Sequence, residues 1–189
     1  FPDIYADGEM DEIKKTHYVH ERGKVTNLAW DYGTVLKEGL EGRRARLENG
    51  KKSDPEYVEM TNRTIDAVIK FADKYADEMD RQGKTEDGAT LRRIIRTGAD
   101  TMEEAFQSFR IIHFALWASW CYHNTVGRFD QWIYPFYKND IENGTLTRDM
   151  ARAYITDYYC KHNLTMGRGE HQVGNETNST TFKRILNFD

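Results

Sequence analysis

Apolar residues along this chain recur mostly at spacings of three and four, the period of a helix packed on one face. The clearest case runs through Val58, Thr61, Ile65, Val68, Ile69, Ala72, Tyr75, Ala76 and Met79. Lys70, Asp73, Lys74, Asp77 and Asp80 fall mostly on the opposite side. This pattern predicts a long amphipathic helix laid against something larger. Ser53-Asp54-Pro55-Glu56 marks its start: a capping residue, a proline suited to the first turn and a glutamate three positions after the serine. Upstream, residues 1–30 are polar and show little pattern beyond a helix near 9–20. A helix over about 31–47 stops at Asn49-Gly50.

A shorter helix is expected over 86–96, ended by Thr97-Gly98. Thr101-Met102-Glu103-Glu104 is a second capping box and opens a helix toward Tyr122. Its first half is one-sided through Met102, Ala105, Phe106 and Phe109. From Ile111 onward it is apolar nearly all round, which predicts burial on every side. Residues 127–137 (GRFDQWIYPFY) crowd six aromatic or apolar residues around Pro135. A regular helix does not hold an interior proline without a kink, so this stretch predicts a buried, irregular segment. Its polar groups then need partners inside the protein, with Arg128 and Asp130 as a charge-assisted pair. A last helix, capped by Thr147, passes through Tyr154, Tyr158 and His162. The Gly/Asn/Thr-rich stretch 167–181 predicts loop, and 182–188 a strand.

These elements describe a mostly α-helical segment with little strand, read as one unit over residues 1–189. A helix covered on every side is awkward in so short a chain. It asks for packing partners beyond this chain and predicts an incomplete piece of a larger fold.

Composition removes several functions. The net charge is −4, with no block of one sign, which argues against nucleic acid and anionic membrane as partners. The longest apolar run, 111–121, is broken by His113 and Ser119 and is too short to span a bilayer. Two cysteines make no disulfide framework and fit a reducing, cytoplasmic compartment. The Asn-x-Ser/Thr matches at Asn62, Asn163, Asn175 and Asn178 are chance patterns in such a compartment. In His17-x-x-His20-Glu21 the two histidines, three apart, share a helix face. A metal site needs three or four ligands and no further one is identifiable, so no metal is expected.

The GRFDQWIYPFY stretch resembles the G-R-F-D-Q-Y-x-Y-P-F-Y segment of the glycyl radical enzymes, the pyruvate formate-lyase-like family. Four more segments follow the family in the same order. KNDIENGTLTR at 138–148 resembles its K-x-D-I-E-x-G-x-L-T-R step. EEAFQSF at 103–109 is similar to E-A-x-Q-S-F, VIKFADKYA at 68–76 to I-x-F-A-x-R-Y-A, and DYGTVLKEGL at 31–40 to D-Y-x-x-V-L-x-x-G-L.

What the resemblance implies is a barrel of strands surrounded by helices, of which this chain is an N-terminal-half segment supplying helical shell and one cavity wall. It implies a stored glycyl radical, installed by a radical-SAM activating enzyme with an iron–sulfur cluster. The radical passes to a cysteine whose thiyl takes hydrogen from a small-molecule substrate, and a C–C or C–X bond then breaks. Neither loop occurs here. Gly167-Arg168-Gly169-Glu170-His171 does not match the glycyl motif, and Cys121 and Cys160 do not stand in a Gly-Cys-x-Glu context. No catalytic residue is therefore expected in this chain, and no cofactor is expected to be bound by it.

Pocket positions still carry over. The family's G-H-S-x-x-x-G-R places its histidine on Tyr122 and its serine on His123. Its G-H before x-x-x-D-Y places a histidine on Asn27. These are the expected substrate-binding residues, since a phenol, an imidazole and an amide all hydrogen-bond small polar ligands. The plainer readings stand beside them: Tyr122 closing a helix on a backbone carbonyl, His123 a satisfied core or cap histidine. Arg128, Asp130 and Gln131 are expected to form a structural polar network that orients neighbouring loops. The partners implied are the remainder of the enzyme or a complementing chain, the activating enzyme, and a second copy in a homodimer when complete. The alternatives are a split subunit and a non-catalytic helical scaffold that binds a partner chain.

Overall fold

The computed structural model describes residues 6–16, 28–50, 54–118 and 124–173. In chain order the elements are α1 (Glu9–Thr16), β1 (Leu28–Ala29), α2 (Tyr32–Glu48), α3 (Pro55–Arg81), α4 (Thr85–Thr97), α5 (Met102–Ala118), β2 (Asn124–Thr125), α6 (Phe129–Glu142) and α7 (Arg148–Val173). The mostly helical expectation holds. The only strands among the described residues are β1 and β2, two residues each, paired in parallel.

Local chemistry explains most boundaries. The Asp31 carboxylate accepts from the Thr34 amide at 3.2 Å and caps α2. Asp54, rather than Ser53, caps α3: its side chain accepts from the Glu56 amide at 2.9 Å, and Pro55 fills the first turn. The Thr101 hydroxyl accepts from the Glu104 amide at 3.2 Å, as a capping box requires. The Glu104 carboxylate reaches one residue further back than that motif predicts, to the Asp100 amide at 2.9 Å. The Thr147 hydroxyl accepts from the Met150 amide at 3.2 Å and opens α7.

Three expectations are corrected. Residues 129–142 form a helix rather than an irregular segment. Gln131 and Pro135 are both exposed, so the carbonyl that loses its amide partner at Pro135 turns to the wet side, where water replaces the bond. Helix α7 runs to Val173, through Gly167 and Gly169. Glycine weakens a helix by about 1 kcal/mol but removes no hydrogen bond, so it need not end one. Helix α2 is interrupted at Gly39, where φ is 70° and ψ is 178°. The strand expected over 182–188 and the possible extension of α1 to residue 20 lie outside the described residues.

Two apolar cores result. The first joins Tyr32 and Leu36 of α2 with Ala99, Met102, Ala105 and Phe109, then Trp132, Ile133 and Phe136 of α6 and Ala151 and Tyr158 of α7. The second joins Leu40 with Ile65, Ile69, Ala72 and Ala76 of α3, Leu91, Ile94 and Ile95 of α4, and Ile111. Leu91, Ile94 and Ile95 are fully enclosed, each contributing on the order of 1.5–3 kcal/mol by leaving water. The Asp73–Arg96 pair, at 2.7 and 2.9 Å, laces α3 to α4 at the rim.

The break at Gly39 lets α2 serve both cores. A Cβ there would lie 2.2 Å from the Arg96 carbonyl oxygen, and one at Gly98 (φ 94°) 2.3 Å from that of Lys37. The two backbones therefore cross at a distance only glycine permits. The Ala99 amide donates to the Leu36 carbonyl at 2.8 Å beside this crossing.

Helix α5 links the two cores through Phe109 and Ile111. Beyond them, Ile112, Phe114, Ala115 and Leu116 are only half-buried, although the sequence predicts burial on all sides. No helix among the described residues is long and apolar enough to cross a membrane.

Candidate functional site

The candidate site is built around the β1–β2 pair. Its register sets Leu28 against Asn124 and Ala29 against Thr125. Asn27 precedes Leu28 in the chain, and Tyr122-His123 precedes Asn124. Asn27, Tyr122 and His123 themselves lie outside the described residues. The described backbone brings together the residues that follow them.

The segments leaving the two strands are held by side chains. After β2, the Gly127 amide donates to the Thr125 hydroxyl at 3.2 Å, and the Phe129 amide to the Gly127 carbonyl at 2.9 Å. The indole Nε1–H of Trp132 donates to the Val126 carbonyl at 2.9 Å. After β1, the Tyr32 ring lies 4.7 Å from Phe109 and 5.9 Å from Trp132, and Phe109 stacks on Trp132 at 5.2 Å. The Tyr32 hydroxyl and His113 Nδ1 are 2.8 Å apart. Burial pushes the Tyr32 phenol well above its ordinary range, and does the same to Tyr158.

Arg128 and Asp130 form the expected pair, with Nε and Nη2 donating to the two carboxylate oxygens at 3.0 and 2.7 Å. The pair is not buried: the side chains are 69 % and 65 % exposed. The arginine's hydrogen bond holds the Asp130 carboxyl below its usual range. Gln131 is exposed beside them. Cys160 is an exposed free thiol on α7.

Two features went unpredicted. Asp140 is 4 % exposed and accepts from the Met102 amide at 2.7 Å. It thereby holds the first turn of α5, where amides lack helical partners and negative charge is favoured. The signal was present, because Asp140 falls four residues after Phe136 and seven after Ile133, on the buried stripe of α6. The other is a groove between α5 and α7, lined by Glu103, Gln107, Arg110, Tyr154 and Asp157 among others. The Tyr154 hydroxyl donates to Glu103 at 2.9 Å, and desolvation lowers the Arg110 guanidinium.

The family model described as Pyruvate formate lyase-like matches residues 5–179. The chain belongs to this family of glycyl radical enzymes. Among curated proteins, it is 26 % identical over 175 residues to (2S)-3-sulfopropanediol dehydratase of Klebsiella oxytoca, covering 81 % of this chain and 21 % of that one. It is 26 % identical over 156 residues to isethionate sulfite-lyase of Bilophila wadsworthia, covering 69 % and 19 %. It is 25 % identical over 152 residues to trans-4-hydroxy-L-proline dehydratase of Clostridioides difficile, covering 68 % and 18 %. The chain thus spans about a fifth of the length of the curated relatives it matches. A solved structure concerning 1,2-propanediol dehydration in Roseburia inulinivorans aligns with a TM-score of 0.58 and 30 % identity, over 72 % of this chain and 19 % of that one. The glycerol-bound, B12-independent glycerol dehydratase of Clostridium butyricum aligns at 0.54 and 22 %, over 80 % and 24 %, a likeness of fold alone.

Physically, the glycyl radical enzyme pattern quoted above is a packing pattern. In D-Y-x-x-V-L-x-x-G-L, the buried members are Tyr32, Leu36, Gly39 and Leu40. In E-A-x-Q-S-F they are Ala105, Ser108 and Phe109. In the K-x-D-I-E step, Asp140 is the α5 cap.

Proposed function

We propose that this chain is the N-terminal-half segment of a glycyl radical enzyme, supplying part of the helical shell and one wall of the substrate cavity in a strand barrel. The whole enzyme dehydrates, decarboxylates or otherwise lyses a small polar metabolite after thiyl hydrogen abstraction. Its catalytic cysteine and radical glycine belong to loops that the 189 residues do not contain. Tyr122, His123 and Asn27 are assigned to substrate binding. The activity of this chain is to bind, orient and exclude water, which is what radical chemistry asks of a protein.

The β1–β2 register carries the reading. Leu28 and Asn124, the residues that directly follow two pocket stretches assigned separately by motif, pair with each other, which supports a shared site. The relatives' names support the reaction class, since they are dehydratases and a sulfite-lyase of small hydroxylated or sulfonated compounds. The half-buried far end of α5 fits a cover supplied by the rest of the enzyme or by a complementing chain in a split enzyme. We place the assembled enzyme in the cytoplasm as a homodimer, activated by a separate radical-SAM enzyme.

The test is anaerobic activation of the complete reading frame with such an activating enzyme. A glycyl radical signal is expected by electron paramagnetic resonance. Turnover is then measured on 1,2-propanediol, glycerol, (2S)-3-sulfopropanediol, isethionate and trans-4-hydroxy-L-proline. The Tyr122→Phe and His123→Ala variants should raise KM by roughly tenfold, the loss of one good hydrogen bond to substrate. A reading frame that never acquires the radical rejects the enzyme reading.

A further inference from the structure

The β1–β2 ladder is only two residues long. Isolated two-stranded pairs are marginal in water even at full length, so the register of Leu28 against Asn124 must be fixed from outside the ladder. The residues that leave the two strands show how.

One side chain touches both exits. Trp132 is 9 % exposed, and its Nε1–H holds the Val126 carbonyl at 2.9 Å, one residue beyond β2. Its ring lies 5.9 Å from Tyr32, three residues beyond β1. Its Cβ lies 3.3 Å from where a Cβ on Gly33 would stand. It also stacks at 5.2 Å on Phe109 of α5, the helix that precedes β2. Val126 and Tyr32 are one and three residues from the ladder, so a shift of the indole reaches both strands through short, stiff lengths of chain.

We infer that Trp132 is a positioning residue for the substrate wall: its indole clamps the exits of β1 and β2 and so fixes the Leu28–Asn124 register. This rests on the functional reading above. Trp132 touches no substrate in this scheme. It acts through the backbone of Val126 and the ring of Tyr32.

The experiment uses the full-length, activated enzyme. Trp132→Phe removes the N–H and keeps most of the ring. Gly33→Ala leaves the tryptophan in place but presses a methyl against its Cβ, and alanine is favoured over glycine in a helix, so the fold is retained. Misfolding lowers the active fraction, which reduces Vmax and leaves KM alone. A displaced substrate wall raises KM in the molecules that remain active. With the compound that the unmodified enzyme turns over fastest among the five named above, Trp132→Phe should raise KM roughly five- to tenfold, because small misplacements remote from the chemistry are costly. Gly33→Ala should shift KM in the same direction. Amide exchange at 28–30 and 125–126 should accelerate about tenfold or more in Trp132→Phe, with α3 and α4 unchanged.

Both variants keeping the unmodified KM would overturn the inference and leave Trp132 a core residue only. Should Trp132→Phe fail to fold, Gly33→Ala decides. An unmodified enzyme inert toward all five compounds counts against the functional reading instead. Strand exchange then judges the clamp: unaltered rates reject it, and faster rates sustain it.

Discussion

The Tyr32 hydroxyl and Nδ1 of His113 sit 2.8 Å apart, joining residues 81 positions distant in the chain. Both are almost wholly enclosed, at 1 % and 3 % exposure. In the sequence, His113 reads as an interruption of an apolar run. In the fold it stacks on Phe109 at 5.0 Å and shares a proton with the phenol that opens α2. Tyr32→Phe keeps the ring and deletes this bond, so the cost is that of a buried hydrogen bond, about 1–3 kcal/mol. A urea titration should show a lower midpoint at unchanged slope, because the exposed surface on unfolding is the same. A neutral result would mean that the bond adds nothing over water.

The Gly39–Gly98 crossing tolerates no side chain. Alanine at either position adds left-handed strain and a Cβ within 2.2–2.3 Å of a carbonyl oxygen. Each substitution should destabilise by more than about 3 kcal/mol, placing it in the severe tail of single mutations. Gly83 is the control. It also has positive φ (79°), but nothing lies within 4 Å of its missing Cβ, so alanine there should cost only about 1 kcal/mol. Equal losses at Gly83 and Gly39 would show that strain, not backbone approach, governs the crossing.

Asp140→Ala removes the acceptor of the Met102 amide, and about 2 kcal/mol should be lost, near the upper end for a helix cap. Asp140→Asn keeps an acceptor oxygen and loses the charge, so a smaller deficit, on the order of 1 kcal/mol, is expected. Thermal midpoints of the two variants rank the effects. Alanine and asparagine behaving alike would make the charge, rather than the hydrogen bond, the stabilising element.

Acid should weaken the α3–α4 contact. The bidentate bond from Arg96 lowers the Asp73 carboxyl below its ordinary value. A carboxylate depressed in the folded state contributes stability above the unfolded value, near pH 4, and that contribution disappears as pH falls through the folded one. Both side chains are about a third exposed, so the contribution is modest, about 0.5–1 kcal/mol. Asp73→Asn should therefore lower the thermal midpoint at pH 7 and make no difference at pH 2. A deficit that persists at pH 2 would assign the loss to packing.

Periodicity and punctuation determined the helices, most of their ends and the mostly helical class. They could do so because a helix records its buried face every three or four residues, and Asp31, Pro55, Thr101 and Thr147 act within their own turns; the family frame came instead from the resemblance of five ordered motifs. What failed were inferences about surroundings. The GRFDQWIYPFY stretch buries Trp132, Ile133 and Phe136 as expected, but it is helical rather than irregular, and Arg128, Asp130, Gln131 and Pro135 face outward. Only the tertiary structure decided that Gly39 meets Gly98, that Tyr32 meets His113, that Asp140 caps a helix 38 residues upstream, and that Leu28 lies beside Asn124. A local pattern specifies that a residue is covered, whereas the identity of its cover depends on how distant helices cross. That crossing is a property of the packed whole.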